Sequence, residues 1–103
     1  MIHINQENFN TAVLNAENTV VLDFWSPGCT TCLNNVNPII EQLDKEIGDK
    51  VTFAKVNAYE EAGIGVQLKV RALPTVLFLK NGVEVGRLTS TITAKQVLQK
   101  LNL

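Results

Sequence analysis

The chain has 103 residues, of which 46% are hydrophobic and 18% are charged; this length is typical of one folded unit, and we expect a single domain over residues 1–103. The composition excludes an intrinsically disordered chain. The formal net charge of -1 indicates neither a nucleic-acid surface nor a polybasic membrane patch, and the longest apolar runs are too short to span a bilayer.

The predicted elements begin with a short strand and a capped helix. Residues 2–4 are a short apolar start, and Asn5 can cap a helix whose apolar face includes Phe9 and Val13. The N-terminal residues show no basic segment followed by an apolar one, so we predict no signal peptide and a cytoplasmic protein. Because cytoplasmic thiols are kept reduced, this location argues against a purely structural disulfide.

A buried strand and a long helix are the clearest elements of the first half. Residues 19–25 are β-branched and nearly continuously apolar, which is typical of a strand buried on both faces, and one charge, Asp23, lies within it. The pair Pro27-Gly28 ends this strand. A helical pattern of apolar residues then covers residues 29–47.

The second half of the chain predicts a strand, a short helix, a hairpin and a last helix. Residues 51–56 form the strand, with one internal charge at Lys55, and the short helix covers residues 60–68. Asn-Gly is the strongest short-range hairpin signal, since the tight turn needs two residues with positive φ. The remaining elements are the hairpin strands 75–80 and 83–88 around Asn81-Gly82, and a helix capped by Thr93.

The element order β-α-β-α-β-α-β-β-α predicts an α/β fold. A βαβ unit near the start gives parallel strands, and the late hairpin adds an antiparallel pair. We therefore expect a central mixed sheet of about five strands with helices on both faces. Phe24, Phe53 and Phe78 are predicted core residues.

The chemistry of the chain is concentrated where the buried strand meets the long helix, in Cys29-Thr30-Thr31-Cys32. A helix N-terminus carries partial positive charge and free N–H donors, which stabilise the thiolate that is the reactive form of cysteine. A spacing of two residues lets one helical turn bring the sulfurs within bonding range. By position, we expect Cys29 to be the exposed attacking thiol and Cys32 the buried resolving thiol, in a cycle that needs no cofactor.

Two other interpretations of the cysteine pair remain open. A lone C-x-x-C can be half of a zinc site, but His3 is the only further nitrogen or sulfur ligand in the chain, so we predict no complete metal site within one molecule. The cysteines can also be two inert buried side chains. Their position after a strand and before a helix, in a chain with a βαβ pattern, favours redox chemistry.

Beyond this motif, ordered segments along essentially the whole chain resemble the thioredoxin family. The segments are Val21-Leu22-Asp23-Phe24-Trp25, Pro38-Ile39-Ile40, Phe53-Ala54-Lys55-Val56-Asn57, and Leu73-Pro74-Thr75 with the hairpin that follows it. The resemblance implies a thioredoxin fold and thiol–disulfide oxidoreductase activity, with a redox-active Cys29–Cys32 disulfide in place of a cofactor.

The resemblance also implies roles for residues outside the motif. Asp23 corresponds to the family's buried carboxylate beneath the resolving cysteine, and burial should raise its pKa so that it can accept the proton of Cys32. Lys55 corresponds to its partner on the neighbouring strand, with a purely structural buried pair as the alternative. Pro74 corresponds to the family's cis-proline, which leaves the Leu73 backbone free to pair with an extended substrate peptide.

The sequence departs from the family pattern near the expected substrate surface. Gly28 stands where the family has tryptophan, and Thr31 replaces the proline between the cysteines, so the hydroxyls of Thr30 and Thr31 can tune the sulfur chemistry. Pro38 lies one residue further from the second cysteine than is usual, which a π-bulge or a shifted kink can absorb. Ser90 stands where the family has a glycine that lines the substrate groove.

We predict a protein disulfide reductase that acts on disulfide-containing proteins by dithiol–disulfide exchange. The alternative is a thioredoxin-fold binding or scaffold module whose cysteines bind metal or are not turned over; an oxidant or isomerase fits a cytoplasmic protein poorly. The expected electron donor is a flavin- or ferredoxin-linked reductase, including a dedicated one, because the departures border the reductase surface. We expect a monomer with no nucleic-acid or membrane partner.

Overall fold

The computed structural model describes residues 1–103 and contains a five-stranded sheet in the order β1-β3-β2-β4-β5. β1 and β2 each run parallel to β3, whereas β4 is antiparallel to both β2 and β5. The strands are Ile2–His3 (β1), Val20–Trp25 (β2), Thr52–Asn57 (β3), Thr75–Lys80 (β4) and Val83–Thr89 (β5). The mixed sheet of the sequence prediction is confirmed.

Helical segments connect the strands and cover both faces of the sheet. They are a π-helical segment Asn10–Leu14, a second π-helical segment Cys32–Val36, and the α-helices Asn37–Ile47 (α1), Ala62–Gln67 (α2) and Ala94–Lys100 (α3). None of the helices has the length and apolar character needed to cross a membrane.

Local hydrogen bonds cap the chain at or before the start of two of these segments. Asn5 Oδ1 accepts hydrogen bonds from the N–H groups of Glu7 and Asn8, so it caps the turn that leads into the first helical segment, whereas that segment itself begins at Asn10 without a side-chain cap. The Thr93 hydroxyl accepts from the Gln96 N–H, and the Gln96 side chain accepts from the Thr93 N–H. This reciprocal capping box begins α3 at the predicted residue.

The first predicted helix differs from the observed one in its winding. Asn15 N–H bonds to the carbonyl of Asn10, five residues back, whereas an α-helical bond would reach four residues back. Phe9 and Val13 are nonetheless buried, as the apolar pattern predicts.

The hairpin between β4 and β5 follows from the Asn-Gly signal. Asn81 and Gly82 have φ values of 52° and 77°, the left-handed region that this tight turn requires. A Cβ atom on Gly82 would lie 2.7 Å from the carbonyl oxygen of Leu14, so the close approach of the backbones also demands glycine here.

Alternation along β2 divides the core into two apolar layers. Leu22 and Phe24 belong to the layer beneath the first π-helical segment and α2. Val21 belongs to the opposite layer, together with Phe53, Phe78 and the inner residues of α1 and α3. The three predicted core phenylalanines are each at most 2% exposed. Because side chains two residues apart on a strand share a face, Asp23 lies on the α1 side of the sheet.

Candidate active site

The strand register gathers the predicted site residues at one edge of the sheet. Phe24, near the end of β2, pairs with Thr75 at the start of β4, and Thr75 pairs with Thr89 at the end of β5. Pro74 and Ser90 extend these two strands, and the Ser90 N–H donates to the Pro74 carbonyl at 3.2 Å. The loop that carries the cysteines leaves β2 at this same edge.

The two cysteines form a disulfide across the first turn of the helix, with their Cα atoms 5.2 Å apart. Cys29 is partly exposed, whereas Cys32 is completely buried. The Cys32 N–H donates to Cys29 Sγ at 3.1 Å, so the sulfur occupies the place of an N-cap acceptor. A free N–H and the positive end of the helix both favour a negative charge on Cys29 once the disulfide is reduced.

The residues that flank the sulfurs leave the first cysteine approachable. Gly28 and Thr30 are exposed, and a Cβ atom built on Gly28 would meet no heavy atom within 4 Å. The local backbone therefore has room for a larger side chain at this position. The hydrogen bond to Cys29 Sγ comes from a backbone N–H, and neither Thr30 nor Thr31 donates its hydroxyl to a sulfur in this disulfide form.

The Leu73–Pro74 peptide bond is cis. The Thr75 hydroxyl donates to the Ala72 carbonyl at 2.7 Å, so a hydrogen bond connects the residue after Pro74 to the chain before it. Leu73 is partly exposed and Pro74 is buried.

A buried carboxyl group lies on the α1 face of β2. Asp23 is 1% exposed, and its burial raises the pKa to about 7, with the positive charge of Lys55 opposing this shift and the negative charge of Glu41 adding to it. A group with this pKa can take or release a proton near neutral pH. One of its oxygens, Oδ1, is buried without a hydrogen-bond partner.

Lys55 acts on Asp23 through its charge, and its direct contacts are elsewhere. The two residues are register partners on β3 and β2, but the ammonium group lies 3.6 Å from Glu41 Oε1 and 4.5 Å from the centre of the Trp25 ring. The long lysine side chain thus directs its charge toward the more exposed Glu41.

The direct partner of Asp23 is Asn37, the first residue of α1. Asn37 is 6% exposed. The surrounding acceptors orient its amide so that Nδ2 donates to Asp23 Oδ2 at 2.7 Å and to the Cys32 carbonyl at 3.3 Å. A single side chain therefore links the buried carboxyl group to the helix turn of the second cysteine.

The extra residue before Pro38 is absorbed in the π-helical segment Cys32–Val36. The Asn37 N–H reaches back to the Cys32 carbonyl, which is the five-residue bond of a π-turn. This winding also aims Asn35 at the loop after β5, where its amide accepts from the Ile92 N–H at 2.8 Å and donates to the Ile92 carbonyl at 3.2 Å.

No group of three or more His, Cys, Asp or Glu side chains is arranged to hold a metal ion. The disulfide and the buried Asp23 supply the chemistry of a dithiol–disulfide pair beside a carboxyl group with a pKa of about 7.

Comparisons with known proteins agree with this geometry. A family model described as Thioredoxin matches residues 1–102. A thioredoxin from Haemophilus influenzae is 33% identical over 98% of this chain and 97% of its own length. A thioredoxin from Chlorobaculum thiosulfatiphilum is 31% identical over 93% of this chain and 88% of its own length, and a chloroplastic M-type thioredoxin from Spinacia oleracea is 40% identical over 77% of this chain and 43% of its own length.

The chain belongs to the thioredoxin family. Its mixed sheet flanked by helices is the thioredoxin fold that the sequence predicts. Family membership and the Cys29–Cys32 disulfide together make it a thiol–disulfide oxidoreductase.

Three residues that contact the predicted site residues or pack beside them were not predicted from the sequence. Asn37, Asn35 and Glu41 carry no family signature, and the asparagine-rich turn predicts only a weak helix. One signal was available for Asn37, because it stands between Val36 and Ile40 on the buried side of the helix. A polar side chain at such a position needs a hydrogen-bond partner.

Proposed function

We propose that Cys29 is the attacking thiolate and Cys32 the resolving thiol in the reduction of protein disulfides. The observation that carries this proposal is the contrast between the two sulfurs. Cys29 is partly exposed and accepts the Cys32 N–H at a helix N-terminus, whereas Cys32 is fully buried one turn behind it. The accessible sulfur is thus the one whose thiolate is favoured.

In the first step, the Cys29 thiolate attacks one sulfur of the substrate disulfide. A Cys29–substrate bond forms, the substrate disulfide breaks, and the second substrate sulfur leaves as a thiolate. In the second step, Cys32 loses its proton and its sulfur attacks Cys29 Sγ, which forms the Cys29–Cys32 disulfide and releases the first substrate sulfur as a thiolate. Two electrons have then passed from the dithiol to the substrate.

We assign the acceptance of the Cys32 proton to Asp23. Its carboxyl group has a pKa of about 7 and lies one hydrogen-bonding side chain away from the Cys32 backbone. Lys55 favours the charged form of this carboxyl group through its own charge. A base with a pKa close to the working pH is the most effective general base.

Substrate peptides are proposed to bind along Gly28, Leu73, Pro74 and Ser90. The sheet register supports this surface, since Ser90 bonds to Pro74 at the edge from which the cysteine loop departs. The backbone of the partly exposed Leu73 would offer strand-like hydrogen bonds that do not depend on the substrate's sequence. Thr30 and Thr31 are proposed to tune the first sulfur in its reduced form, in which a hydroxyl can donate to the thiolate.

The cycle requires no bound cofactor, because the cysteine pair stores the two electrons itself. An external reductase, flavin- or ferredoxin-linked, must then return the electrons, and we propose that it works on this chain in the cytoplasm, where thiols are kept reduced. Disulfide-containing proteins are the proposed substrates.

The test is the reduction of insulin with dithiothreitol as the electron source, followed by the turbidity of the released chains. Wild-type protein should accelerate the reaction, and Cys29→Ser should return it to the rate of dithiothreitol alone. Thr91→Ser, a conservative change outside the proposed site, is the control. A Cys29→Ser rate equal to that of an accelerating wild type would overturn the role of Cys29, and a wild-type rate equal to that of dithiothreitol alone would favour the alternative, a thioredoxin-fold binding module.

A further inference from the structure

We propose that Asn37 is a positioning residue for proton transfer, which holds Asp23 Oδ2 against the Cys32 turn and leaves Asp23 Oδ1 as the atom that takes the proton. The inference rests on the proposed exchange cycle and adds a residue that the cysteine motif does not indicate. It depends on a hydrogen-bond arrangement that only the folded chain brings together.

The geometry ties three groups through one nitrogen atom. Nδ2 of Asn37 has two N–H bonds, and these are directed at Asp23 Oδ2 at 2.7 Å and at the Cys32 carbonyl at 3.3 Å. The same carbonyl accepts the Asn37 backbone N–H, so side chain and backbone both close the π-turn. Asn37 therefore fixes the distance between the carboxyl group and the helix turn that carries Cys32.

The two carboxyl oxygens of Asp23 differ in their hydrogen bonding. Oδ2 receives the Asn37 amide, whereas Oδ1 is buried with no hydrogen-bond partner. A proton arriving at Asp23 displaces no existing bond if it binds to Oδ1. In the second step of exchange, the Cys32 thiol proton thus passes to Oδ1, and the sulfur electron pair forms the bond to Cys29.

An amide N–H donates more strongly to a carboxylate than to a neutral carboxyl group. Asn37 therefore favours the charged, proton-accepting form of Asp23 and lowers the pKa that burial raises. The charged groups that act on Asp23 are Lys55 from β3 and Glu41 from α1, while β4 places the apolar Val76 beside it. The Asn37 amide does not itself titrate, so its effect on the Asp23 pKa comes only from the difference between its bonds to the charged and the neutral carboxyl group.

The test has two readouts. The first is the pH midpoint of Asp23 protonation, followed by NMR of its carboxyl carbon in the disulfide form. The second is the pH midpoint of the rate at which the mixed disulfide is resolved. Asn37→Leu removes the donor at similar size, and Asn37→Ala is a second variant in case leucine packs poorly. In both variants, each of the two midpoints should rise by about one pH unit. Resolution at pH 7 should slow by about five-fold, because a smaller fraction of Asp23 is then charged.

Two controls separate positioning from general destabilisation. Asn34→Leu changes an exposed asparagine on the same turn, and Val13→Ala opens a cavity on the opposite face of the sheet. Neither should move the midpoint. An unchanged midpoint in both Asn37 variants, or an equal shift in Val13→Ala, would overturn the inference.

The inference and the exchange cycle can fail separately. If wild-type protein forms a mixed disulfide on Cys29 but the Asn37 variants keep the wild-type midpoint, Asn37 has no positioning role and the cycle stands. If wild-type protein resolves no mixed disulfide, the cycle fails, and an unshifted carboxyl titration in the Asn37 variants then also overturns the role of Asn37.

Discussion

The two faces of the sheet are covered in the same way but differ in what they bury. The face beneath α2 and the first π-helical segment is an apolar layer of aliphatic and aromatic side chains. The face beneath α1 and α3 has a comparable apolar layer, but beside it lie the carboxyl group of Asp23, the amide of Asn37 and the ammonium group of Lys55. Buried polar groups of this kind lower stability unless they are paired.

The difference indicates which face serves catalysis. Apolar burial alone stabilises both layers, so the polar groups are not needed to hold the sheet together. They are found on the side of the helix that carries the cysteines, where a carboxyl group with a pKa of about 7 is useful. The fold tolerates this loss of stability at the place where we propose that proton transfer accompanies disulfide exchange.

The largest expected effect comes from Asp23→Asn. Because the pKa of Asp23 is higher in the folded chain than in the unfolded chain, the folded protein keeps its proton between about pH 4 and pH 7, where the unfolded chain releases it. The free energy of unfolding of the wild type therefore falls by several kcal/mol as the pH rises through this window. Asp23→Asn should remove this dependence, so that the variant is more stable than the wild type at pH 8, as measured by urea unfolding.

Leu77→Ala on the opposite face is the matched control for that experiment. Leu77 is fully buried in the apolar layer, and its truncation should lower the free energy of unfolding by about 2–5 kcal/mol at every pH. The free energy of unfolding of the wild type and of Asp23→Asn could also change with pH in the same way between pH 4 and pH 8. That result would contradict the proposed difference between the two faces of the sheet.

A smaller effect is expected from Asn35→Ala, which tests the polar bonds on the α1 side. The Asn35 amide holds both backbone groups of Ile92, a buried residue, and its loss leaves an N–H and a carbonyl unpaired. The free energy of unfolding should fall by about 1–3 kcal/mol. Asn34→Ala, at an exposed neighbouring position, should change it by less than about 0.5 kcal/mol; equal effects of the two variants would contradict the role of the Asn35 bonds.

The smallest effect is expected at Ser90, where the site departs from the family's glycine. Ser90 has a φ of 66°, in the left-handed region that glycine adopts at lower cost. Ser90→Gly should raise the free energy of unfolding by about 0.5 kcal/mol, since relief of strain exceeds the added freedom of the unfolded chain. Thr91→Gly, at a position without positive φ, should lower it; a loss of stability in both would show that Ser90 is unstrained.

The sequence predicts the sheet well because its signals are local. Residues 19–25 read as a buried strand from their own composition, and Asn81-Gly82 predicts the hairpin because both residues must take positive φ. The cysteine pair is visible for the same reason, since a turn of helix joins its members.

The polar network is not visible in this way, because its partners are far apart along the chain. Asn35 bonds to Ile92, 57 residues away, and Asn37 bonds to Asp23 on a different element. Lys55 is predicted from the resemblance as the partner of Asp23, but its ion pair with Glu41 depends on how α1 packs over β3. Side-chain direction across such a contact is decided by tertiary packing and not by local pattern.

The most direct test of the account is the identity of the cysteine that forms the mixed disulfide. Reduced Cys29→Ser and Cys32→Ser proteins would each be mixed with a disulfide-bonded peptide, and the adducts measured by mass spectrometry over time. We expect Cys32→Ser to accumulate one adduct at Cys29 and Cys29→Ser to form essentially none, because the remaining sulfur is buried. Adduct formation on Cys32 at a rate similar to that on Cys29 would contradict the assignment.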